Sequence, residues 1–137
     1  LLEYATVFSN KYGTPRKFVE QHLNRDETII FDIDWQGARS LNKHKEFNIK
    51  SIFILPPSIA SLEQRLRQRG LDSDEIISNR MLQAKNEIVH YREYDYIVIN
   101  DDIDVATQQV QDFMDHDKKV KTQGLEEFVQ DLLKQDI

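Results

Sequence analysis

The chain has 137 residues, 39% of them hydrophobic and 31% charged, with a net charge of −6 at neutral pH. This describes one well-charged globular domain, or one domain with a small mobile insert, long enough to bury a core. The acidic balance argues against a general nucleic-acid or membrane-surface role, and any phosphate ligand has to be held by local arginines against the overall field.

With no cysteine, there is neither a disulfide framework nor a zinc-thiolate site. No apolar run is long enough for a bilayer and none reads as a secretory signal, which is compatible with a cytoplasmic protein. The chain opens at Leu1 inside an apolar segment rather than at Met, which looks like a piece of a longer protein.

Leu1 to Phe8 is apolar apart from Glu3 and suits a strand or a helix. Ser9 to Gly13 reads as a turn, and Thr14-Pro15 as a helix start with Thr14 as N-cap and Pro15 at the first position. Phe18, Val19, His22 and Leu23 then share a face of a helix ending near Asn24.

The stretch Ile29-Ile30-Phe31-Asp32-Ile33-Asp34-Trp35-Gln36-Gly37 organises the rest. Its β-branched and aromatic run predicts a strand buried on both faces of a parallel sheet. Alternation would point Asp32 and Asp34 the same way, at a strand end where α/β proteins bind ligands. Two acids there suit a water-mediated magnesium ion or a proton-donating ligand; the plainer alternative is a turn residue and a paired charge.

Ala38 to Lys45 reads as a polar helix with Leu41, and Ser51 to Leu55 as a second buried strand stopped by Pro56-Pro57. Ser58 caps a helix with Leu62 and Leu66 that Gly70 ends. Asp72 and Glu75 offer a capping box for a long helix with Ile77, Met81, Ala84 and Ile88. A third strand, Tyr94 to Ile99, leads to Asn100-Asp101-Asp102, whose acids cap a helix with Val105, Val110 and Phe113. A polar linker from His116 to Gln123 precedes a last helix burying Leu125, Phe128, Val129 and Leu132. Strands alternating with helices indicate an α/β fold.

Arginines carry the sharpest chemical signal. Arg65 and Arg69 share a helix face; Arg65 has no acid three or four residues away and Arg69 has only Asp72, beyond the helix-ending Gly70, an arrangement mildly unfavourable unless an anion sits between the two charges. Arg67 has Glu63 four residues earlier, an ordinary surface pair. Arg80 lacks a local partner, and such an arginine finds a distant carboxylate or a phosphate. Together Arg65, Arg69 and Arg80 form a candidate phosphate clamp; the alternative is a solvated helix face. Glu3 in its apolar run suits the paired N–H donors of guanine, although taken singly Glu3, Tyr12 and Thr14 read more simply as a satisfied buried acid, a core-edge tyrosine and a helix cap. The four histidines show no metal-like spacing, and no glycine belongs to a phosphate-cradling G-x-x-x-x-G-K-[ST] loop.

Taken together, LLEYATVFSNKYGTPR (1–16), IIFDIDWQGA (29–38), SIFILPPS (51–58), the R-x-x-x-RG of Arg65 to Gly70 with Arg80, and YDYIVINDD (94–102) resemble the guanylate kinase family. The resemblance runs to about the end of the helix at 102–115. It implies a P-loop NTPase-type parallel sheet flanked by helices, with phosphoryl transfer from ATP to GMP and Mg²⁺ as cofactor. By that resemblance Glu3, Thr14 and Asp34 recognise guanine and Tyr12 contacts the GMP phosphate. Asp32 lies near the water-bound magnesium. Arg65, Arg69 and Arg80 embrace the transferring phosphates, and Asn100, with Arg65, serves ATP.

The implied regions are 1–27 for GMP binding, 28–62 for core, 63–92 for a lid and its following helix, and 93–137 for core and C-terminal helices. GMP and ATP are the implied partners, with neither nucleic acid nor membrane, and a homo-oligomer stays open. Two departures stand out. The family's P-loop and its GMP-phosphate arginine segment are expected before Leu1, leaving this chain inactive by itself. Ser9 and Lys11 also replace the aromatic or glycine residues frequent in that turn. The rivals are a non-catalytic guanylate-kinase-like scaffold module that binds proteins, and a kinase for another nucleoside monophosphate.

Overall fold

The computed structural model describes residues 1–7, 9–70, 72–116 and 124–136. The chain divides into two compact units, Leu1–Ile49 and Lys50–Ile137.

In the first unit, β1 (Glu3–Val7) and β2 (Asn10–Thr14) form an antiparallel hairpin with Glu3 opposite Thr14 and Ala5 opposite Tyr12. The expected turn over Ser9 to Gly13 is therefore mostly strand. Ser9 takes a left-handed conformation at φ 68°, and Asn10 already pairs with Val7. Helix α1 (Arg16–Leu23) has Pro15, not Thr14, as its N-cap residue. Thr14 remains in β2, where its hydroxyl donates to Glu3. The helix ends at Asn24 as expected, but of its apolar face only Val19 is buried.

The stretch 29–33 departs from expectation. It belongs to neither of the two ladders found among the described residues, because a strand is defined by its hydrogen-bonded neighbour and this segment has none there. It also buries one face instead of two. Ile29, Phe31 and Ile33 pack against Leu2, Val19 and Leu41, while Ile30 is 78% exposed and Asp32 lies on the surface. Helix α2 (Trp35–Leu41) starts three residues before the expected Ala38, because Asp34 caps it by accepting the Gly37 N–H at 3.0 Å.

Around the end of α2, His44 Nε2 lies 2.8 Å from the Leu2 carbonyl and Nδ1 lies 3.0 Å from the Arg16 guanidinium. A carbonyl only accepts and a guanidinium only donates. The ring thus bridges the Leu2 carbonyl and the Arg16 guanidinium, and it anchors the backbone beside Glu3. Arg16 also pairs with Glu46 at 2.9 Å. The Glu46 backbone N–H and then this guanidinium hold the Glu46 carboxyl below its usual range. The folded chain therefore binds that proton less readily than the unfolded one. The resulting stability is present above about pH 4.5 and is lost as pH falls through the folded value. Glu46→Gln is expected to lower Tm slightly near neutral pH and progressively less as pH falls below about 4.5; an equal shift at every pH would contradict the linkage.

In the second unit, β3 (Ile52–Leu55) and β4 (Tyr96–Ile99) pair in parallel. They are joined through α3 (Ile59–Gln68), α4 (Asp74–Ile88) and a 3₁₀ turn at Tyr91–Glu93. Strand β4 starts at Tyr96, two residues after the expected Tyr94. Pairing Phe53 with Ile97 and Leu55 with Ile99 puts these four on one sheet face. There they join the buried side chains of α3, α4 and α6 (Leu125–Lys134). Tyr96 and Val98 face the other way, onto α5 (Ile103–His116). Helices thus cover both faces of the parallel pair, as the α/β expectation requires.

Tyr96 stacks on Phe113 with centroids 4.3 Å apart. Phe113→Ala is expected to cost about 3–5 kcal/mol by emptying that space, measurable by urea unfolding; a loss under about 1 kcal/mol would show that this side of the sheet collapses to fill it.

Ser58 caps α3, accepting from Ser61 N–H at 3.0 Å, and Gly70 follows it in the left-handed region at φ 66°, both as expected. Asp102 caps α5 by accepting from the N–H groups of Asp104 and Val105. The expected Asp72 capping box is replaced by Ser73, which accepts from Ile76 N–H. Val129 and Leu132 are the buried residues of α6, with Leu125 and Phe128 partly buried beside them. Most of the expected linker, residues 117–123, lies outside the described residues.

Candidate functional site

In the first unit the structure brings together three of the four residues expected to recognise GMP. Glu3 is only 3% exposed, and its Oε1 accepts the Thr14 hydroxyl at 2.5 Å. Directly opposite residues of an antiparallel pair share a face, so Glu3, Ala5, Tyr12 and Thr14 look the same way. Tyr12, at 60% exposure, carries its phenol out into solvent from that face.

Asp34 reaches the same neighbourhood through α2. Its Oδ1 accepts from Gly37 N–H and its Oδ2 accepts from the Gln36 side-chain amide at 3.0 Å. Gln36 also donates to the Thr6 carbonyl of β1 at 3.3 Å. The other contact is steric: a Cβ on Gly37 would stand 3.0 Å from Glu3 Oε2 and 3.2 Å from Ile33 Cβ.

Among the described residues Glu3 has no cationic partner. A buried carboxylate is costly unless charge or hydrogen-bond donors compensate it. The Thr14 hydroxyl supplies one donor, leaving capacity for two N–H groups of a ligand. Asp32 does not join this cluster by strand alternation, since it is exposed while Asp34 is a half-buried helix cap.

In the second unit, Arg65 is half-buried on α3 and Arg69 is exposed at that helix's C-cap. Neither forms an ion pair among the described residues. Arg67 behaves as the expected surface pair, contacting Glu63 at 3.4 Å and, less expectedly, Asp74 at 2.6 Å. Those hydrogen bonds, Asp74 first, raise its guanidinium's pKa.

Arg80 has a partner that helical spacing does not reveal. Its Nε lies 3.4 Å from Asp72 Oδ2, eight residues earlier and ahead of α4. Asp72, free of the capping role, is available for it. Asn100 donates its backbone N–H to the Leu55 carbonyl at 2.8 Å, which places it at the carboxyl end of the parallel pair. Among the described residues no group of three or more His, Asp or Glu side chains could hold a metal ion, and no helix is long and apolar enough to cross a membrane.

Gln36 and Gly37 were not expected as site residues. The signal for them is only the position of Asp34 as a cap, which puts the next two helical residues against β1.

The family model described as guanylate kinase matches residues 1–117. The guanylate kinase of Nitrobacter hamburgensis is 49% identical over 98% of this chain, and that of Vibrio cholerae is 57% identical over 77% of it. The solved structure of guanylate kinase from Anaplasma phagocytophilum is 30% identical and superposes with a TM-score of 0.69 over 98% of this chain and 66% of that one. The chain spans 63% of the Nitrobacter protein's length and 50% of the Vibrio protein's. A match that covers all of the first unit and continues through β4 and α5 of the second places this chain in the guanylate kinase family.

Proposed function

We propose that the protein containing this chain transfers a phosphoryl group from ATP to GMP, giving ADP and GDP. The observation that carries the reading is Glu3: a carboxylate 3% exposed, bonded to a neutral hydroxyl and without a cationic partner among the described residues. Guanine offers two adjacent N–H donors on its Watson–Crick edge, whereas adenine's ring nitrogen there is an acceptor. The acid therefore selects guanine by attraction and rejects adenine by leaving a buried charge facing a lone pair. Thr14 orients Glu3, Asp34 adds a second acceptor, and Tyr12, on the same hairpin face, donates its hydroxyl to the GMP phosphate.

Phosphoryl transfer depends mainly on positioning and on stabilising spread negative charge. Arg65, Arg69 and Arg80 supply that charge, with residues 63–92 acting as the lid, and Asn100 with Arg65 serves the ATP side. Asp32 is a single exposed carboxylate. This suits magnesium, which keeps several waters and takes one or two carboxylates along with substrate phosphates. Asp32 would hold the ion through water, and the ion would supply positive charge to the phosphates of ATP. The protein works in the cytoplasm.

Calorimetric titration of the chain with GMP and, separately, with AMP tests the acceptor reading once circular dichroism has shown it folded. Tighter binding of GMP is the expected result. A folded chain without a preference would overturn guanine recognition by these residues and favour the protein-binding scaffold reading.

A further inference from the structure

We infer that the first turn of α2, Gln36-Gly37, is a positioning device that sets the spacing of Glu3 and Asp34 and thereby the purine preference. The inference rests on the guanine reading above and adds two residues that touch the acids without being acceptors themselves. Gly37 stands between the two carboxylates. Its N–H holds Asp34 Oδ1 at 3.0 Å, and its missing side chain leaves room for Glu3 Oε2, which a Cβ would meet at 3.0 Å. Such a contact is too close to hold unchanged, and Ile33 Cβ at 3.2 Å hinders escape on another side.

Glycine within a helix is otherwise unfavourable relative to alanine. Local helix energetics favour a methyl here, and the carboxylate is what opposes it.

Gln36 fixes the other acid. Its amide nitrogen donates to Asp34 Oδ2 at 3.0 Å and to the Thr6 carbonyl at 3.3 Å. Both partners are acceptors, so the amide orientation is determined: NH₂ faces them and the oxygen faces away. One side chain therefore ties Asp34 to the strand that carries Glu3. Gln36→Glu keeps the shape but sets an acceptor against two acceptors, and it should release Asp34.

The test compares wild type, Gly37→Ala and Gln36→Glu, each checked by circular dichroism and Tm, in titrations with GMP and AMP. These use the full-length protein. Gly37→Ala is expected to keep or raise Tm yet weaken GMP about tenfold to a hundredfold, with AMP unchanged. Gln36→Glu should weaken GMP by about tenfold. A double-mutant cycle adds a readout that a purely structural role would not move. Glu3→Gln should cost GMP affinity far less in the Gly37→Ala background, because the acid is already displaced.

If either variant fails to fold, the other decides. Wild type that prefers GMP, with folded variants retaining the same GMP and AMP affinities, would overturn this inference alone. Wild type without a preference would overturn the guanine reading and this inference with it.

Discussion

Glu3→Gln is expected to weaken GMP binding by about tenfold to a hundredfold while changing AMP binding by less than about twofold. The substitution keeps size and shape and keeps an oxygen that can accept the Thr14 hydroxyl, now 2.5 Å from Oε1. It removes the charge and replaces the second oxygen with an NH₂ group. Guanine's paired donors then face one acceptor and one donor, and a hydrogen bond to a charged group is lost.

The side chain is 3% exposed, so water cannot easily take over the lost role. An amide is also cheaper to bury than an unpaired carboxylate, so the variant should be at least as stable without ligand as the wild type. Higher Tm with lower GMP affinity would separate recognition from folding. Equal weakening of GMP and AMP would instead mean that Glu3 shapes the hairpin without reading the base.

What the sequence disclosed depended on where each residue's partner lay. The second unit was legible because its helices carry apolar residues at helical spacing and its boundaries are local: Ser58 bonds three residues ahead, and Asp102 two and three residues ahead. The stretch 29–33 was misread because a run of Ile and Phe predicts an extended, buried chain but cannot say which neighbour pairs with it or whether both faces are covered. Ile30 shows that one face is not.

Thr14 was misread for a related reason. A threonine before Pro15 reads locally as a helix cap, but hairpin register sets it opposite Glu3, eleven residues away, and its hydroxyl donates there. Asp72 and Ser73 were rivals for one helix cap; Ser73 took it, and Asp72 went to Arg80. Within the site, the acids stood out as residue types. The residues holding them did not, because a glutamine's geometry and a glycine's missing side chain acquire meaning only beside β1.

Arg80→Ala, made in the full-length protein, is expected to lower kcat by about a hundredfold to ten-thousandfold and to raise the KM for GMP by less than about threefold. An arginine that meets charge developing during transfer binds the transition state more strongly than the ground state, so its loss falls on turnover. Its ion pair with Asp72 introduces a second consequence: truncation leaves Asp72, whose side chain is 16% exposed, without that cation. Arg80 itself is 35% exposed, so solvent screens the pair and only a small loss of stability should follow.

Asp72→Asn separates the two effects. It removes the ion pair but keeps the guanidinium, so it should retain most of the turnover. Arg80→Lys keeps the charge without the planar fork and should fall between wild type and Arg80→Ala. Unchanged kcat in Arg80→Ala would remove this residue from the transfer step. If Asp72→Asn and Arg80→Ala lost the same turnover, the pair would be acting by holding α4 in place, and the charge on the phosphates would have to come from Arg65 and Arg69.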